Sequence, residues 1–352
     1  MKKRLYIRLS SLGDVILATA ALDRDEPSGI SSAYENHWLV AREWACILEG
    51  HPKIARVWPF DRGSGLRGWR HLARQLESQG FNEVIDLHRH LRTRLLRLFF
   101  FWDAWRFGRR VPYWLTFKKP RLRTWGLFLF KGFWPSSLMP PSVLSRVRAA
   151  AGVGASARPN LKFLLEENPL PPEIQALGDR PYFCVMPASH WPGKEWPVER
   201  FAAVCAQWSR QAVPVVLGSA QDRASFALCE SLAAGVPISG VGRWDLKTVA
   251  AVLSAARVSL SNDTGIGHLS EAMGTPAIMV FGPTTPQMGF APWRPESAAV
   301  GVPLGCRPCG KDGRRCYRPV RKYLCLTTLS VEAVQTRGAA FLSARSHREE
   351  RQ

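Results

Sequence analysis

Three loops put side chains capable of chemistry beside backbone capable of holding an anion. The segment Ser261-Asn262-Asp263-Thr264-Gly265-Ile266-Gly267-His268 follows a short apolar run and opens a helical one. A helix amino end offers unpaired N–H groups and partial positive charge, which suits a phosphate or diphosphate. Gly265 and Gly267 let the backbone approach the anion closely, and Thr264 and His268 add side-chain donors. The plainer reading is a cap: Asp263 or Thr264 caps the helix, and His268 is a surface residue. A second loop, residues 187–197, carries Ser189 and Lys194, a hydroxyl and a cation. Alone, Lys194 beside Glu195 reads as a surface pair. The third loop, Ser10-Ser11-Leu12-Gly13-Asp14, is not G-x-G-x-x-G, so a dinucleotide fingerprint is absent. Its Asp14 either complements a helix dipole or, facing a cleft, takes a proton from an acceptor hydroxyl.

The elements that must position these loops alternate between strand and helix. Strands are expected at 4–9, 38–40, 56–59 and 83–87, with helices at 15–22 and near 69–79. The polar, Pro-rich stretch around Glu166-Glu167-Asn168-Pro169-Leu170-Pro171-Pro172 marks a linker, and the pattern then restarts. Strands follow at 182–186, 213–217, 258–261 and 277–281. Helices are expected at 197–211, 223–234, 245–255, from about 267, and at 331–344. This is an α/β chain of two doubly wound parallel-sheet units facing a central cleft. The expected division is 1–165, a linker at 166–180, 181–329, and a helical tail at 330–352. The loops at 187–197 and 261–268 belong to one sheet and should open on one edge, where ligands of such sheets sit.

Composition narrows the class. With 352 residues, two domains are expected. A chain that is 46% apolar with 14 Trp is not disordered, and no apolar run is long enough to span a membrane. Arg8 and Asp14 interrupt what would otherwise imitate a signal peptide, so a cytoplasmic protein is expected. The net charge is +20, and its excess concentrates between Arg89 and Trp134, with twelve Lys/Arg, one acid and fourteen aromatics. Leu91, Leu95, Leu98, Trp102 and Trp105 form a helical stripe there. The segment reads as an aromatic core with a basic rim, as a contact with an anionic membrane surface, or as a nucleic-acid surface. No helix-turn-helix, zinc-finger or RNP pattern supports the last, and nucleic acid is not an expected partner. Cys46, Cys184, Cys205 and Cys229 are scattered in apolar contexts, as reduced core cysteines are. Cys306, Cys309, Cys316 and Cys325 are clustered, with seven Lys/Arg between Cys306 and Tyr323 that would favour thiolates. A structural zinc site, free thiols and a redox pair all remain open for them.

Taken in order, five pieces of the chain resemble glycosyltransferase family 9, the bacterial lipopolysaccharide heptosyltransferases. They are Ile7-Arg8-Leu9-Ser10-Ser11-Leu12-Gly13-Asp14, Val84-Ile85-Asp86-Leu87, the segment from Ser189 to Pro197, Ser261 to His268, and Phe281-Gly282-Pro283-Thr284-x-Pro286. The resemblance implies the two-domain GT-B architecture. It also implies inverting transfer of a heptose from a nucleotide sugar, typically ADP-heptose, to the lipid A-core acceptor at the cytoplasmic face of the inner membrane. Asp14 would be the general base, with Ser10, Ser11 and Gly13 on the acceptor side. Lys194, Asp263, Thr264, Gly265 and His268 match the donor diphosphate and sugar site, and Ser189 a phosphate contact. Asp222 would hold the ribose and Trp244 line the adenine pocket, both by loop position. No cofactor and no catalytic metal are implied. The chain departs from the family at Ala20-Ala21, where Pro is usual, at Thr285, where an acid is usual, and in the heavy segment at 89–134. Two rivals use the same fold: a non-catalytic basic protein binding membrane or nucleic acid, and a sugar-nucleotide epimerase.

Overall fold

A computed structural model describes residues 2–24, 34–166, 168–232 and 237–343. The chain divides into two compact units: Met1–Lys119 with Val143–Leu164, and Pro120–Ser142 with Leu165–Gln352.

The first unit is built on β1 (Lys2–Ile7), β2 (Tyr34–Ala41), β3 (Arg56–Phe60), β4 (Glu83–Asp86) and β5 (Tyr113–Thr116), all parallel in the order β3-β2-β1-β4-β5. Helices α1 (Leu12–Ala18), α2 (Gly65–Glu77) and α3 (Leu91–Phe107) lie between strands. Helix α4 (Arg121–Phe130) clusters with the second unit, and α5 (Val143–Ala151) returns to the first. Strand order reverses between β1 and β4, the switch point at which such sheets bind ligands. Leu5, Ile7, Leu39 and Val84 make a fully buried layer with Trp69 and Leu76 of α2 and Leu96 and Phe100 of α3.

The second unit contains α6 (Pro172–Gln175), β6 (Tyr182–Met186), α7 (Val198–Trp208), β7 (Val213–Val216), α8 (Arg223–Ser231), β8 (Ile238–Ser239), α9 (Leu246–Ala255), β9 (Ser259–Asn262), α10 (Gly265–Ala272), β10 (Ala277–Val280), β11 (Ala298–Val300), α11 (Leu324–Thr327) and α12 (Val331–Ser343). Its parallel sheet runs β11-β10-β9-β6-β7-β8. Counted from β6 this is the doubly wound dinucleotide-fold order, with the switch point between β6 and β9. Trp196, Phe201, Trp208 and Leu260 centre its core, which also takes Val334 and Leu342 from α12.

Several expected boundaries move. The helix expected at 15–22 starts at Leu12 and tightens into a 3-10 turn over Thr19–Leu22, where the Thr19 hydroxyl donates to Ile16 O at 2.7 Å. Strand β5 lay hidden inside the basic aromatic segment, and β8 and β11 are too short to announce themselves. Residues 233 and 234 of the helix expected at 223–234, and residue 344 of the tail helix, lie outside the described residues, as does Glu167 of the linker stretch. The segment from Arg89 to Trp134 is not uniform. On α3, Thr93, Leu96, Phe100 and Ala104 are buried; of the expected stripe, Leu91, Leu98, Trp102 and Trp105 are exposed while Leu95 is half-buried.

Candidate active site

The second unit brings two loops together at its switch point. Asn262, the last residue of β9, is fully buried and spans them. Its Oδ1 accepts from Trp196 N at 3.0 Å, and its Nδ2 donates to Pro187 O at 2.5 Å. The loops after β6 and β9 therefore share one edge. Lys194 reaches Asp263 rather than Glu195: Nζ and Oδ2 are 2.5 Å apart, with both side chains nearly buried. The Thr284 hydroxyl donates to the same Asp263 oxygen at 2.6 Å. Glu195 instead accepts from Ser189 N at 2.9 Å, which folds the loop back on itself. Burial and the nearby Asp222 charge push the Glu195 carboxyl up, against the Ser189 hydrogen bond. Glu195, in the loop that carries the lysine, and Asp222 thus bring two carboxylates near one another. The surface-pair reading of Lys194 is corrected accordingly.

The capping reading of the loop at 261–268 is corrected as well. Thr264 occupies the cap position of α10 with extended backbone, yet makes no side-chain cap hydrogen bond. The Asp263 carboxylate is turned to Lys194 and Thr284. The first turn of α10 thus keeps N–H groups for another acceptor. His268 is not a surface residue: it is 2% exposed, and its Nδ1 lies 3.2 Å from Glu271 Oε2. Glu271 is held in turn by Trp293 N and Arg294 N, each at 2.8 Å. Gly267 faces inward. A Cβ there would stand 2.4 Å from Met279 Cε and 2.9 Å from Ser261 Oγ, so this glycine serves helix–sheet packing rather than an anion.

Further along the edge, the loops after β7 and β8 join through Gly242 N to Gly218 O at 2.9 Å. Asp222 precedes α8, and its Oδ2 accepts from Ser219 N at 2.7 Å. The Trp244 ring lies against Gly240, where a Cβ would come within 2.1 Å of it. The structure thus sets Ser189, Lys194, Asp222, Trp244, Asp263, Thr264 and Gly265 along the carboxyl edge of one sheet, with His268 and Gly267 beneath it.

Residues 302–323 back this edge. The buried Arg307 donates to Phe281 O and Thr284 O at 2.8 Å and also to Val302 O; Cys309 N donates to Pro283 O at 2.8 Å. The Arg314 guanidinium stacks 3.8 Å over the Trp191 ring. Sequence reading missed Arg307, Thr284 and Asn262: the first stood among conspicuous cysteines, and the others make long-range bonds. All eight cysteines are free. Tyr323 N donates to Cys316 Sγ at 3.2 Å. Burial together with neighbouring Cys306 and Cys316 pushes the Cys309 thiol up, and burial pushes Cys325 up to about 11. At Cys309 and Cys325 desolvation outweighs the nearby basic residues, so these two are not held as thiolates. Among the described residues, no three His, Cys, Asp or Glu side chains stand where they could hold a metal ion.

In the first unit, Asp14 sits at the switch point. Its Oδ2 accepts from Ser11 N and Ser11 Oγ, both at 3.2 Å, and Oδ1 pairs with Arg8. Burial pushes this carboxyl up, but the Arg8 charge and the Arg8 and Ser11 hydrogen bonds outweigh it and hold it below the usual carboxylate range. Arg8 also donates to Leu87 O at the end of β4. Desolvation, reinforced by Arg8 and Lys119, drives His88 down to about 3. Ser11 is exposed, Ser10 half-buried, and Gly13 buried in the first turn of α1.

The model of glycosyltransferase family 9 (heptosyltransferase) matches residues 145–317. Lipopolysaccharide heptosyltransferase 1 of Pseudomonas aeruginosa is 28% identical over 97% of this chain and 98% of its own length. Lipopolysaccharide core heptosyltransferase OpsX of Haemophilus influenzae is 24% identical over 86% and 84%. Among solved structures, heptosyltransferase WaaC of E. coli with ADP superposes with a TM-score of 0.68 at 19% identity, covering 96% of this chain and 99% of the other. E. coli ADP-heptose LPS heptosyltransferase II gives 0.68 at 18%, covering 97% and 98%. Two doubly wound parallel-sheet units, an anion-ready edge and matches along nearly all of its length make this chain a glycosyltransferase of GT-B fold, similar to glycosyltransferase family 9.

Proposed function

We propose that this enzyme moves a heptose from ADP-heptose to the inner core of lipopolysaccharide, with inversion at the anomeric carbon. The observation that carries the reading is the meeting of Lys194, Asp263 and Thr284 beside the uncapped amino end of α10. A diphosphate suits that end of the helix, with Lys194 supplying the cation and Ser189 a hydroxyl. The carboxylate of Asp222 suits a ribose hydroxyl, and the Trp244 face an adenine. As the sugar leaves, negative charge grows on the diphosphate, and Lys194 and the α10 amino end stabilise it. Removing one donor in a comparable site typically costs about 2.7–4 kcal/mol of barrier.

Asp14 takes the proton of the attacking hydroxyl. Its pairing with Arg8 keeps it ionised at neutral pH, so it is ready to accept. No step is assigned to a metal or a cofactor. The choice of heptose and lipopolysaccharide rests on the full-length similarity to lipopolysaccharide heptosyltransferase 1. Such an acceptor is lipid-linked, so the enzyme works in the cytoplasm, peripheral at the inner face of the inner membrane. Among the described residues, no helix is long and apolar enough to cross a membrane.

The test is transfer from ADP-heptose to purified core acceptor, followed by mass spectrometry. Asp14→Asn should lose about 10²–10⁴-fold in rate and keep its affinity for ADP. Transfer at the wild-type rate by this variant overturns the role of Asp14. Failure of the wild-type protein to use any ADP-sugar overturns the function.

A further inference from the structure

Helix α3 carries two apolar stripes on opposite sides. Thr93, Leu96, Phe100 and Ala104 point into the first unit's core. Leu91, Leu98, Trp102 and Trp105, spaced by seven, four and three residues, run along the other side at 100° per residue. Their exposures are 65%, 64%, 59% and 75%. A helix apolar on both sides has a second partner to find. Arg92 and Arg106 flank the outer stripe on one side, Arg94 and Arg97 on the other, and all four are exposed. The helix's one acid, Asp103, is half-buried and turned toward Glu77. Apolar surface continues from Phe101 across a groove to Val111 and Tyr113, which are also exposed. In the second unit, α4 repeats the composition, with Leu122, Trp125 and Leu129 exposed and Arg121 and Arg123 beside them.

We infer that the outer face of α3 docks on the anionic surface of a lipid bilayer, its indoles entering the interface and its arginines meeting the headgroups. Charge complementarity selects this occupant. A row of guanidiniums on each side of an apolar stripe, with no exposed acid on the helix, fits a surface that is negative everywhere around an apolar interior. A protein partner would have to bring acids to both flanks in register. The inference rests on the peripheral-membrane reading above and names the surface that performs it. Each arginine near the headgroups contributes about a fivefold gain in partitioning, equivalent to about 1 kcal/mol.

The test is flotation of the full-length protein with vesicles of phosphatidylethanolamine and phosphatidylglycerol, with vesicles of phosphatidylcholine alone as the second arm. The wild-type protein should float with the first and far less with the second. Trp102→Ser with Trp105→Ser should weaken binding by about tenfold or more, as should Arg92→Gln with Arg94→Gln and Arg106→Gln. Leu66→Ser, exposed on α2, should float like the wild type. The tryptophan variant should still transfer sugar to a delipidated, water-soluble core acceptor. Wild-type protein that never floats overturns the membrane reading itself. Wild-type protein that floats while both variants float equally well overturns only the assignment to α3. A lipid-free dimer that the tryptophan substitutions dissolve assigns the face to a second copy of this chain and also overturns it.

Discussion

Asp14 shows how one neighbour sets the character of a carboxylate. Its burial alone would favour the neutral acid; Arg8 and Ser11 reverse that and hold the charge. An ionised, paired carboxylate is always available but is a weaker base than one tuned near neutrality. The sign of the pH effect follows. The folded-state pKa is depressed, so the stability from this pair is present above the ordinary value of 3.8 and is lost as pH falls through the lower folded value. Arg8→Gln removes the main opposing charge and leaves the desolvation. The acid limb of kcat/KM should move to higher pH, which a pH–rate profile measures directly; an unmoved limb would separate Asp14 from the titration. Both residues were visible in the sequence, six positions apart, but their pairing was not. Arg8 stood in the sequence as a charge that spoiled a signal peptide and as part of the first loop motif, with no partner assigned.

Among the elements, the carboxyl edge of the second sheet depends on backbone fastened from behind. Arg307 gathers Phe281 O, Thr284 O and Val302 O, and through Thr284 it holds Asp263 against Lys194. It is a positioning residue that touches no proposed substrate atom. Arg307→Met should lower kcat by about 10-fold or more with a smaller change in ADP affinity, and Arg307→Lys should restore part of the rate. A loss confined to thermal stability would assign Arg307 to folding alone. Gly240 supports Trp244 in the same way. A methyl group placed 2.1 Å from the indole cannot be absorbed by a rigid ring, so Gly240→Ala should displace Trp244. Calorimetry should find ADP binding weakened by about 1–3 kcal/mol, the usual scale of overpacking, while circular dichroism stays native. Affinity equal to the wild type would remove Trp244 from the nucleotide site.

Over the whole molecule, charge and buried histidines set the response to pH. Desolvation is the leading cause that lowers His51 to about 4 and His88 to about 3. Both are neutral in the folded state and ordinary in the unfolded chain, near 6.5. Acid therefore favours unfolding: their stabilising contribution is complete above pH 6.5 and drains away between there and the folded values. The slope is on the order of 1 kcal/mol per pH unit for each histidine. Thermal melts between pH 7 and pH 5 (roughly the window this linkage covers) should fall steeply for the wild type and less steeply for His51→Asn, which keeps an acceptor for Lys53 N but does not titrate. Equal slopes would show that His51 is not desolvated. At this scale the division between sequence and tertiary structure is clear. Strand–helix alternation and apolar runs were enough to specify two parallel-sheet units, since periodicity is a local property of the chain. Loops ending strands at 186 and 262 could likewise be located, because topology sends them to one edge. What only folding decided were the partners: across long separations Lys194 with Asp263, Asn262 with Pro187 and Trp196, and Arg307 with Thr284, and locally Arg8 with Asp14. Burial too was settled there, sinking His268 and Gly267 beneath the edge and leaving Trp102 and Trp105 outside. A composition of arginine and tryptophan is the same in a core rim and on a docking face; which side of a helix meets the sheet depends on what the rest of the chain packs against it.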